Sequence, residues 1–258
     1  LYTMNHAGDD VVIINSDFLP LLEAVKDKLK TVRKIILIDE DGTKPATALK
    51  IDVEYEAMLA ASATFYDFPE FDEQTRATIF YTTGTTGDPK GVYFSHRQIV
   101  LHAQALILVT SAYDGIGRFN SSDVYMPLTP MFHVHAWGVP FAATMLGIKQ
   151  VYPGKYEPAM LLKLILTEKV TFSHCVPTII QMLVSTPVVK QFDLTKWKVI
   201  IGGARLPKGL AQAAMEMGIQ IYAAYGMSET CPLVSIANLK PDKVGKGMIE
   251  NVDTLIRT

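Results

Sequence analysis

The chain has 258 residues, of which 49% are hydrophobic and 19% charged, so we expect it to fold around a sizeable core. Its formal net charge is −2 and no basic run or basic helical face occurs, which argues against a nucleic acid as the main partner. The most apolar stretches, 103–109 and 136–148, fall short of the roughly 20 residues that a membrane span needs. No signal peptide is visible, and Cys175 and Cys231 lie far apart, which together favour a reducing, cytoplasmic location.

The first elements that the pattern predicts form a β-α-β unit. Two short apolar runs, 11–15 and 34–39, are typical of buried strands. Between them apolar residues recur at helical spacing from Phe18 to Leu29, which predicts a helix. Further along, 77–81 predicts a strand that leads into a threonine-rich loop, and 91–96 predicts the strand that returns from it.

A capping-box pattern marks the start of the next helix. Ser95 is followed three residues later by Gln98, and the helix is predicted to continue to about Thr110. Its residues are apolar almost all round, so we expect this helix to be buried, with His96 and His102 in structural roles.

The clearest unit of the sequence lies between Trp197 and Glu229. A strand ends in Gly202 and Gly203, a helix follows from about residue 206 to 218, and a second strand ends in Tyr225 and Gly226. Such a crossover implies that the two strands are parallel neighbours. Both residue pairs therefore lie at carboxyl ends of strands, where open α/β sheets bind ligands.

The threonine-rich loop, Tyr81–Gly91, has the composition of an anion site. Gly84 and Gly87 allow backbone amides to approach a ligand closely. The loop also supplies four threonine hydroxyls and one lysine cation, a combination that suits a polyphosphate. These residues are Thr82, Thr83, Thr85, Thr86 and Lys90. The loop is not a Walker A motif, because Pro89 precedes and Gly91 follows the lysine. A polar hairpin between two strands is the alternative.

Three motifs, in order, resemble those of the acyl-adenylate-forming superfamily, which includes acyl-CoA synthetases, aryl-CoA ligases, luciferases and adenylation domains. The threonine-rich loop resembles the family's phosphate loop. Pro127–Gly138 is similar to the motif beside the acyl pocket, and Tyr222–Thr230 is similar to the YGxTE motif, with Ser228 where threonine is usual. Ile201–Pro207 stands where the family has adenine-contacting glycines.

The resemblance implies a fold, a domain assignment and site residues. The fold is α/β, with parallel-rich sheets and helices on both faces, as in the large N-terminal domain of adenylate-forming enzymes. Residues 1–258 then form a partial AMP-binding N-terminal domain that lacks its start and the C-terminal lid. The implied catalytic residues are Lys90, Ser228 and Glu229, with Glu229 as the Mg²⁺ ligand. The implied nucleotide-binding residues are Thr82, Thr83, Gly84, Thr85, Thr86, Gly87, Gly202, Gly203, Ala204, Tyr225 and Gly226.

His133 and His135 form an H-x-H pair, a pattern that zinc sites can use. On a strand both side chains would point to one side, but no third ligand of suitable spacing follows, so zinc is disfavoured. The resemblance instead implies that His133, Val134 and Trp137 line the acyl pocket. A packed histidine at a strand end is the structural alternative.

The reaction implied by the resemblance has two steps. A carboxylate, in particular that of a medium- or long-chain fatty acid, attacks ATP to give an acyl-adenylate, and coenzyme A then displaces AMP. The implied cofactors and co-substrates are ATP, Mg²⁺ and coenzyme A, the partners are small molecules, and a homodimer is possible. The alternatives are an aryl acid as substrate, a non-catalytic ATP- or acyl-binding module without the lid and its lysine, and a purely structural α/β domain.

Overall fold

Residues 1–43, 45–82, 87–113 and 118–257 are described by the structure, a computed structural model. They form two compact units, one comprising Leu1–Asp72 with Tyr81–Gly91 and the other Glu73–Phe80 with Val92–Thr258. The helices and strands up to residue 61 are α1 (Tyr2–Ala7), β1 (Val11–Asn15), α2 (Leu19–Glu23), β2 (Lys34–Ile38), β3 (Val53–Glu54) and α3 (Tyr55–Ala61), with 3₁₀ turns at Ser16–Phe18 and Lys26–Lys28.

The first unit contains a three-stranded parallel sheet in the order β1-β2-β3. Its core consists of apolar side chains from β1, α2, β2 and the loop after β2: Val12, Leu19, Leu22, Ile35, Leu37 and Leu49. The predicted β-α-β opening is confirmed, but the long helix is wrong. Only 19–23 is α-helical, because the chain leaves helical geometry at Val25, whose φ and ψ are −123° and 3°.

The remaining elements follow in chain order: β4 (Arg76–Thr82), β5 (Lys90–Ser95), α4 (His96–Ser111), β6 (Val124–Pro127), α5 (Val134–Trp137), α6 (Val139–Met145), β7 (Lys149–Gln150), α7 (Pro158–Thr167), β8 (Phe172–Cys175), α8 (Pro177–Val184), β9 (Lys198–Ile201), α9 (Lys208–Glu216), β10 (Gln220–Gly226), β11 (Leu233–Ile236), α10 (Pro241–Val244) and α11 (Val252–Leu255). Strands β4 and β5 pair with each other as a two-stranded sheet. Further 3₁₀ turns lie at Pro187–Gln191 and Ser228–Thr230.

A six-stranded sheet in the order β11-β10-β9-β8-β6-β7 forms the centre of the second unit. All its pairs are parallel except β10 with β11, which is antiparallel. The predicted crossover is confirmed, since β9 pairs with β10 from Lys198–Gln220 to Ile201–Ala223. The carboxyl ends of β8, β9 and β10 therefore share one edge of the sheet.

Alternate strand residues point into two separate cores, as expected for a parallel sheet covered on both faces. On β9, Val199 and Ile201 pack in a core with residues of α7, α8, α9 and α11. Ile200 points the other way and packs with residues of α4 and α6. The α/β fold with helices on both faces is confirmed.

Helix α4 begins as predicted and is exposed more than predicted. The Ser95 hydroxyl accepts a hydrogen bond from the Gln98 amide, and the Gln98 side chain accepts one from the Ser95 amide, so the capping box is present. The prediction that α4 is fully buried is wrong, because Leu101 and Leu108 lie on a face that no described element covers and are 49% and 68% exposed.

Within the described part of the chain, every helix is too short or too polar to span a lipid bilayer.

Candidate functional site

A cavity of about 240 Å³ opens at the carboxyl ends of β9 and β10. Segments far apart in the chain line it: the turn around α5, the end of β9, and the end of β10 with the start of β11. The lining residues are His133, Val134, Trp137, Gly202, Gly203, Ala224, Tyr225, Gly226, Met227, Ser228, Pro232 and Leu233. Every one of them belongs to the second unit.

Gly202 is closely packed, and a side chain there would crowd two neighbouring groups. A Cβ added there would lie 3.0 Å from the carbonyl oxygen of Ala224 and 3.2 Å from Cη2 of Trp137. The next residue, Gly203, has a φ of +75°, in the region that favours glycine. The glycine pair thus lets the indole of Trp137 lie directly against the end of β9.

The segment that carries Trp137, α5, is a single left-handed turn and not a right-handed helix. Val134, His135, Ala136 and Trp137 have φ values of 47°, 54°, 47° and 60°, and Gly138 follows at 73°. Four consecutive non-glycine residues in the left-handed region are rare, and a β-branched residue such as Val134 is disfavoured there. The sequence gives no sign of this turn before Gly138.

The two histidines of the H-x-H pair do not point to one side, so the strand geometry considered for them is wrong. His133 is exposed and lines the cavity, whereas His135 is only 7% exposed and packs inside the protein. Burial, which is the main cause, and the nearby His102, which is the smaller one, lower the pKa of His135 to about 4. In the described part of the chain, no three His, Cys, Asp or Glu side chains are grouped as metal ligands.

Beneath Trp137 lies a second buried histidine. The rings of Trp137 and His174 are 5.0 Å apart, and the Tyr125 hydroxyl is 2.6 Å from Nε2 of His174. On the other side of the ring, the Thr129 hydroxyl is 3.1 Å from Nδ1. Complete burial lowers the pKa of His174 to about 3, so the imidazole is neutral at pH 7.

We expect the protein to lose stability in mild acid because of His174. An unfolded chain takes up a proton on histidine near pH 6.5, whereas the folded protein does so only near pH 3. Between these values the unfolded state binds more protons, so the free energy of unfolding falls as the pH falls. One such histidine lowers the free energy of unfolding by ~2 kcal/mol as the pH falls from 6.5 to 5.

Urea unfolding at pH 7 and pH 5 tests this prediction. His174→Gln should lower stability at pH 7, because it disturbs a buried packing, yet reduce the difference between the two pH values. An equal pH dependence in variant and wild type would contradict the assignment.

A larger cavity, of about 620 Å³, lies beside the first and shares four lining residues with it: Gly203, Ala224, Tyr225 and Gly226. Ala204 lines it, together with two exposed arginines, Arg205 and Arg257. Tyr225 is 49% exposed, so its ring is available to a flat ligand. Sequence reasoning assigned no role to either arginine. Arg205 lies within the Ile201–Pro207 motif, which was the available signal, whereas Arg257 belongs to no motif.

Ser228 and Glu229 lie in the 3₁₀ turn after β10. Ser228 lines the first cavity, whereas Glu229 is exposed and lines neither cavity. A single exposed carboxylate cannot build a protein cage for a cation. It fits Mg²⁺, which takes one or two carboxylates and receives its other ligands from phosphates and water.

The predicted phosphate loop belongs mainly to the first unit. Thr82 ends β4, exposed Lys90 begins β5, and Gly87 has a φ of +94° that favours glycine. Thr83, Gly84, Thr85 and Thr86 lie outside the described residues.

Fold and cavities define an α/β protein with two neighbouring cavities at the carboxyl edge of its mainly parallel sheet, the edge where open α/β sheets bind ligands. Comparison with family models gives the particular family. The model described as "AMP-binding enzyme" matches residues 1–256, so the chain belongs to this family of AMP-binding enzymes.

Curated relatives bear the names of CoA ligases. The long-chain-fatty-acid–CoA ligase of Thermus thermophilus is 39% identical over 235 residues, which cover 90% of this chain and 41% of that protein. The 3-methylmercaptopropionyl-CoA ligase of Ruegeria pomeroyi is 38% identical over 236 residues, which cover 90% of this chain and 43% of that protein. The chain thus spans less than half the length of these relatives.

Solved structures agree on the fold. The inhibitor-bound N-terminal domain of FACL13 from Mycobacterium tuberculosis superposes with a TM-score of 0.77 at 22% identity, covering 95% of this chain and 57% of that one. At this identity the likeness concerns the fold, which is that of the N-terminal domain of an adenylate-forming enzyme.

Proposed function

We propose that residues 1–258 are part of the N-terminal domain of an ATP-dependent acyl-CoA ligase, and that this part binds ATP and a carboxylic acid. The complete protein would form an acyl-adenylate with release of pyrophosphate and then transfer the acyl group to coenzyme A. Family membership supports the chemistry, and the names of the relatives support the acid–thiol ligase class.

One observation carries the proposal at the level of residues. The cavity at the ends of β9 and β10 is lined by residues from three separate sequence motifs, represented by Trp137, Gly202 and Ser228. Its walls are mainly apolar or glycine, with few polar groups, as ligand sites commonly are. Motifs of purely structural origin have no reason to converge on one cavity.

Each side of this region suits a different part of the substrates. Tyr225 presents an exposed ring and Ala204 little bulk beside the larger cavity, which suits a stacked adenine. His133, Val134 and Trp137 line the smaller cavity, which suits the acyl group near its carboxylate. Ser228 belongs to the smaller cavity and follows the shared residues, so its hydroxyl suits a contact with the α-phosphate.

Positioning and charge stabilisation are the means of catalysis that these residues offer. The reaction needs no protein nucleophile, since the substrate carboxylate attacks the α-phosphorus itself; the protein must hold two anions together and stabilise the transition state. Lys90 and the threonine hydroxyls of the phosphate loop would bind the β- and γ-phosphates. Glu229 would hold Mg²⁺, which neutralises phosphate charge when bound.

Replacement of Glu229 tests the nucleotide site. We expect this chain to bind MgATP in a calorimetric titration, and Glu229→Ala to weaken binding about 10- to 100-fold, because one charge-assisted contact contributes ~1.5–3 kcal/mol. Glu216→Ala is the matched control, since Glu216 is an exposed carboxylate at the end of α9, which runs back toward the opposite edge of the sheet. Equal affinity of Glu229→Ala and wild type would refute the role of Glu229.

The class of acid is the finer part of the proposal. We propose a medium- or long-chain fatty acid, and titration of MgATP-saturated protein with C4 to C16 fatty acids and with benzoate tests this. Relatives of nearly equal identity are named for a long-chain fatty acid and for 3-methylmercaptopropionate, so identity alone does not rank the acids. Tighter binding of benzoate than of any fatty acid would favour the aryl alternative.

A pyrophosphate exchange assay separates catalysis from binding. Incorporation of labelled pyrophosphate into ATP, dependent on the acid, would assign the first half-reaction to this chain. Saturable MgATP binding without exchange would assign it binding alone.

A further inference from the structure

The left-handed turn 134–138 stores backbone strain at the wall of the smaller cavity. A left-handed φ is unfavourable for an L-residue, because Cβ comes too close to the following carbonyl oxygen, and four non-glycine residues adopt it in succession here. Such a conformation persists only where surrounding contacts outweigh its cost. The contacts that hold this turn therefore determine where Val134 and Trp137 stand.

His135 makes the central contact from within the turn. Its Nε2 is 2.8 Å from the hydroxyl of Thr78 on β4. Its ring makes edge contacts with Phe80 and Phe141, at centroid distances of 4.2 Å and 5.2 Å. Thr78 is thus the hydrogen-bonding anchor of a ring otherwise packed among aromatic side chains.

The imidazole is unusual for a residue kept only for packing. It is 93% buried, and its Nδ1 has no hydrogen-bond partner among the described residues. A buried polar atom without a partner costs stability, so a phenyl ring would fill this site more cheaply. The one thing that imidazole adds to the packing is the bond to Thr78.

A second anchor holds the far end of the turn. Gly138 packs so closely on His102 that an added Cβ would lie 2.9 Å from its Nδ1. Nε2 of His102 accepts a hydrogen bond of 3.3 Å from the amide of Leu233, which lines the cavity. The turn is fixed to β4 through His135 and to the start of β11 through His102.

We propose that His135 is a positioning residue, which through Thr78 holds the turn 134–138 in its strained form and thereby keeps Val134 and Trp137 in place as the wall of the acyl-binding cavity. The inference rests on the proposed function of that cavity. His135 touches no cavity space itself and acts through its two neighbours in the turn.

A double-mutant cycle tests the inference. Thr78→Val removes the hydroxyl at constant shape, His135→Phe keeps an aromatic ring, and the double variant combines the two changes. Dodecanoate binding to the MgATP-saturated chain should weaken about fivefold in each single variant, because each loses the same hydrogen bond. The double variant should be no weaker than the single variants, since neighbours that share one interaction are not additive.

Acrylamide quenching of tryptophan supplies a readout that does not depend on ligand. Trp137 and Trp197 are 5% and 1% exposed in the intact structure, so both are protected. Relaxation of the turn should expose Trp137, and the quenched fraction should rise in Thr78→Val and His135→Phe. Thr110→Val is the matched control, because among the described residues that buried hydroxyl donates to carbonyls of its own helix alone, at Leu106 and Ile107.

Failure of the positioning role can be told apart from failure of the proposed ligand binding. Unchanged dodecanoate affinity and unchanged quenching in Thr78→Val would overturn the positioning role, as would additive effects in the double variant. If wild type binds no dodecanoate, the proposed fatty-acid substrate fails, and the quenching comparison alone then decides whether His135 and Thr78 hold the turn.

Discussion

Gly226→Ala is expected to lower the free energy of unfolding by about 3 kcal/mol, at the upper end of the range for overpacked positions. An added Cβ would lie 2.1 Å from the carbonyl oxygen and 2.8 Å from the carbonyl carbon of Pro232. Both contacts are with backbone, so no side-chain rotation can relieve them. The end of β10 must therefore move away from the start of β11, where the pairing is already irregular.

The same substitution should abolish ligand binding, because Gly226 lines both cavities. Urea unfolding measures the loss of stability, and titration with MgATP measures the loss of binding. Gly209→Ala is the control: Gly209 lies in α9, nothing is within 4 Å of an added Cβ, and alanine there should stabilise by ~0.5–1 kcal/mol. A Gly226→Ala protein as stable as wild type would show that β10 and β11 are not in contact at this point.

Asp123→Ala should destabilise the protein by ~3–5 kcal/mol, the cost of removing one partner of a buried ion pair. The side chains of Asp123 and Lys198 are 4% and 13% exposed, and Oδ1 of Asp123 lies 2.5 Å from Nζ of Lys198. Asp123 also accepts hydrogen bonds from the Thr171 hydroxyl and the Asn120 amide. The Asp123 carboxylate thus connects the loop before β6 with Thr171, which precedes β8, and with Lys198, the first residue of β9.

Two comparisons make this prediction specific. Asp253→Ala should destabilise the protein far less than Asp123→Ala, because the pair of Asp253 with Lys208 is exposed on the surface. The apolar double variant Asp123→Leu/Lys198→Met should recover much of the loss, since it leaves no buried charge. These residues lie at the edge of the sheet opposite the cavities, so MgATP affinity of the folded Asp123→Ala protein should stay unchanged.

Local patterns predicted the parts of the fold that local rules determine. The capping box at Ser95 and Gln98 and the crossover from β9 to β10 are visible in short stretches of sequence and are present in the structure. The roles of Lys90, Ser228 and Glu229 rest on motif order and stay predictions.

Features that depend on distant partners were not predictable. Asp123 and Lys198 are 75 residues apart, and no sequence pattern marks them as a pair. The exposure of Leu101 and Leu108 on α4 was missed because composition does not tell which face of an apolar helix has a neighbour. The left-handed turn was missed because Val134, His135 and Ala136 do not favour that conformation locally.

The strand order of the six-stranded sheet has a consequence for protein synthesis. From β6 onward, each strand of this sheet pairs with a strand that was synthesised earlier: β7 and β8 with β6, β9 with β8, β10 with β9, and β11 with β10. A nascent chain can therefore extend this sheet strand by strand as it leaves the ribosome. The smaller cavity, however, needs Pro232 and Leu233 for its last wall. On the ribosome, most of the sheet can form before there is any pocket for a ligand, and no substrate can assist its early folding.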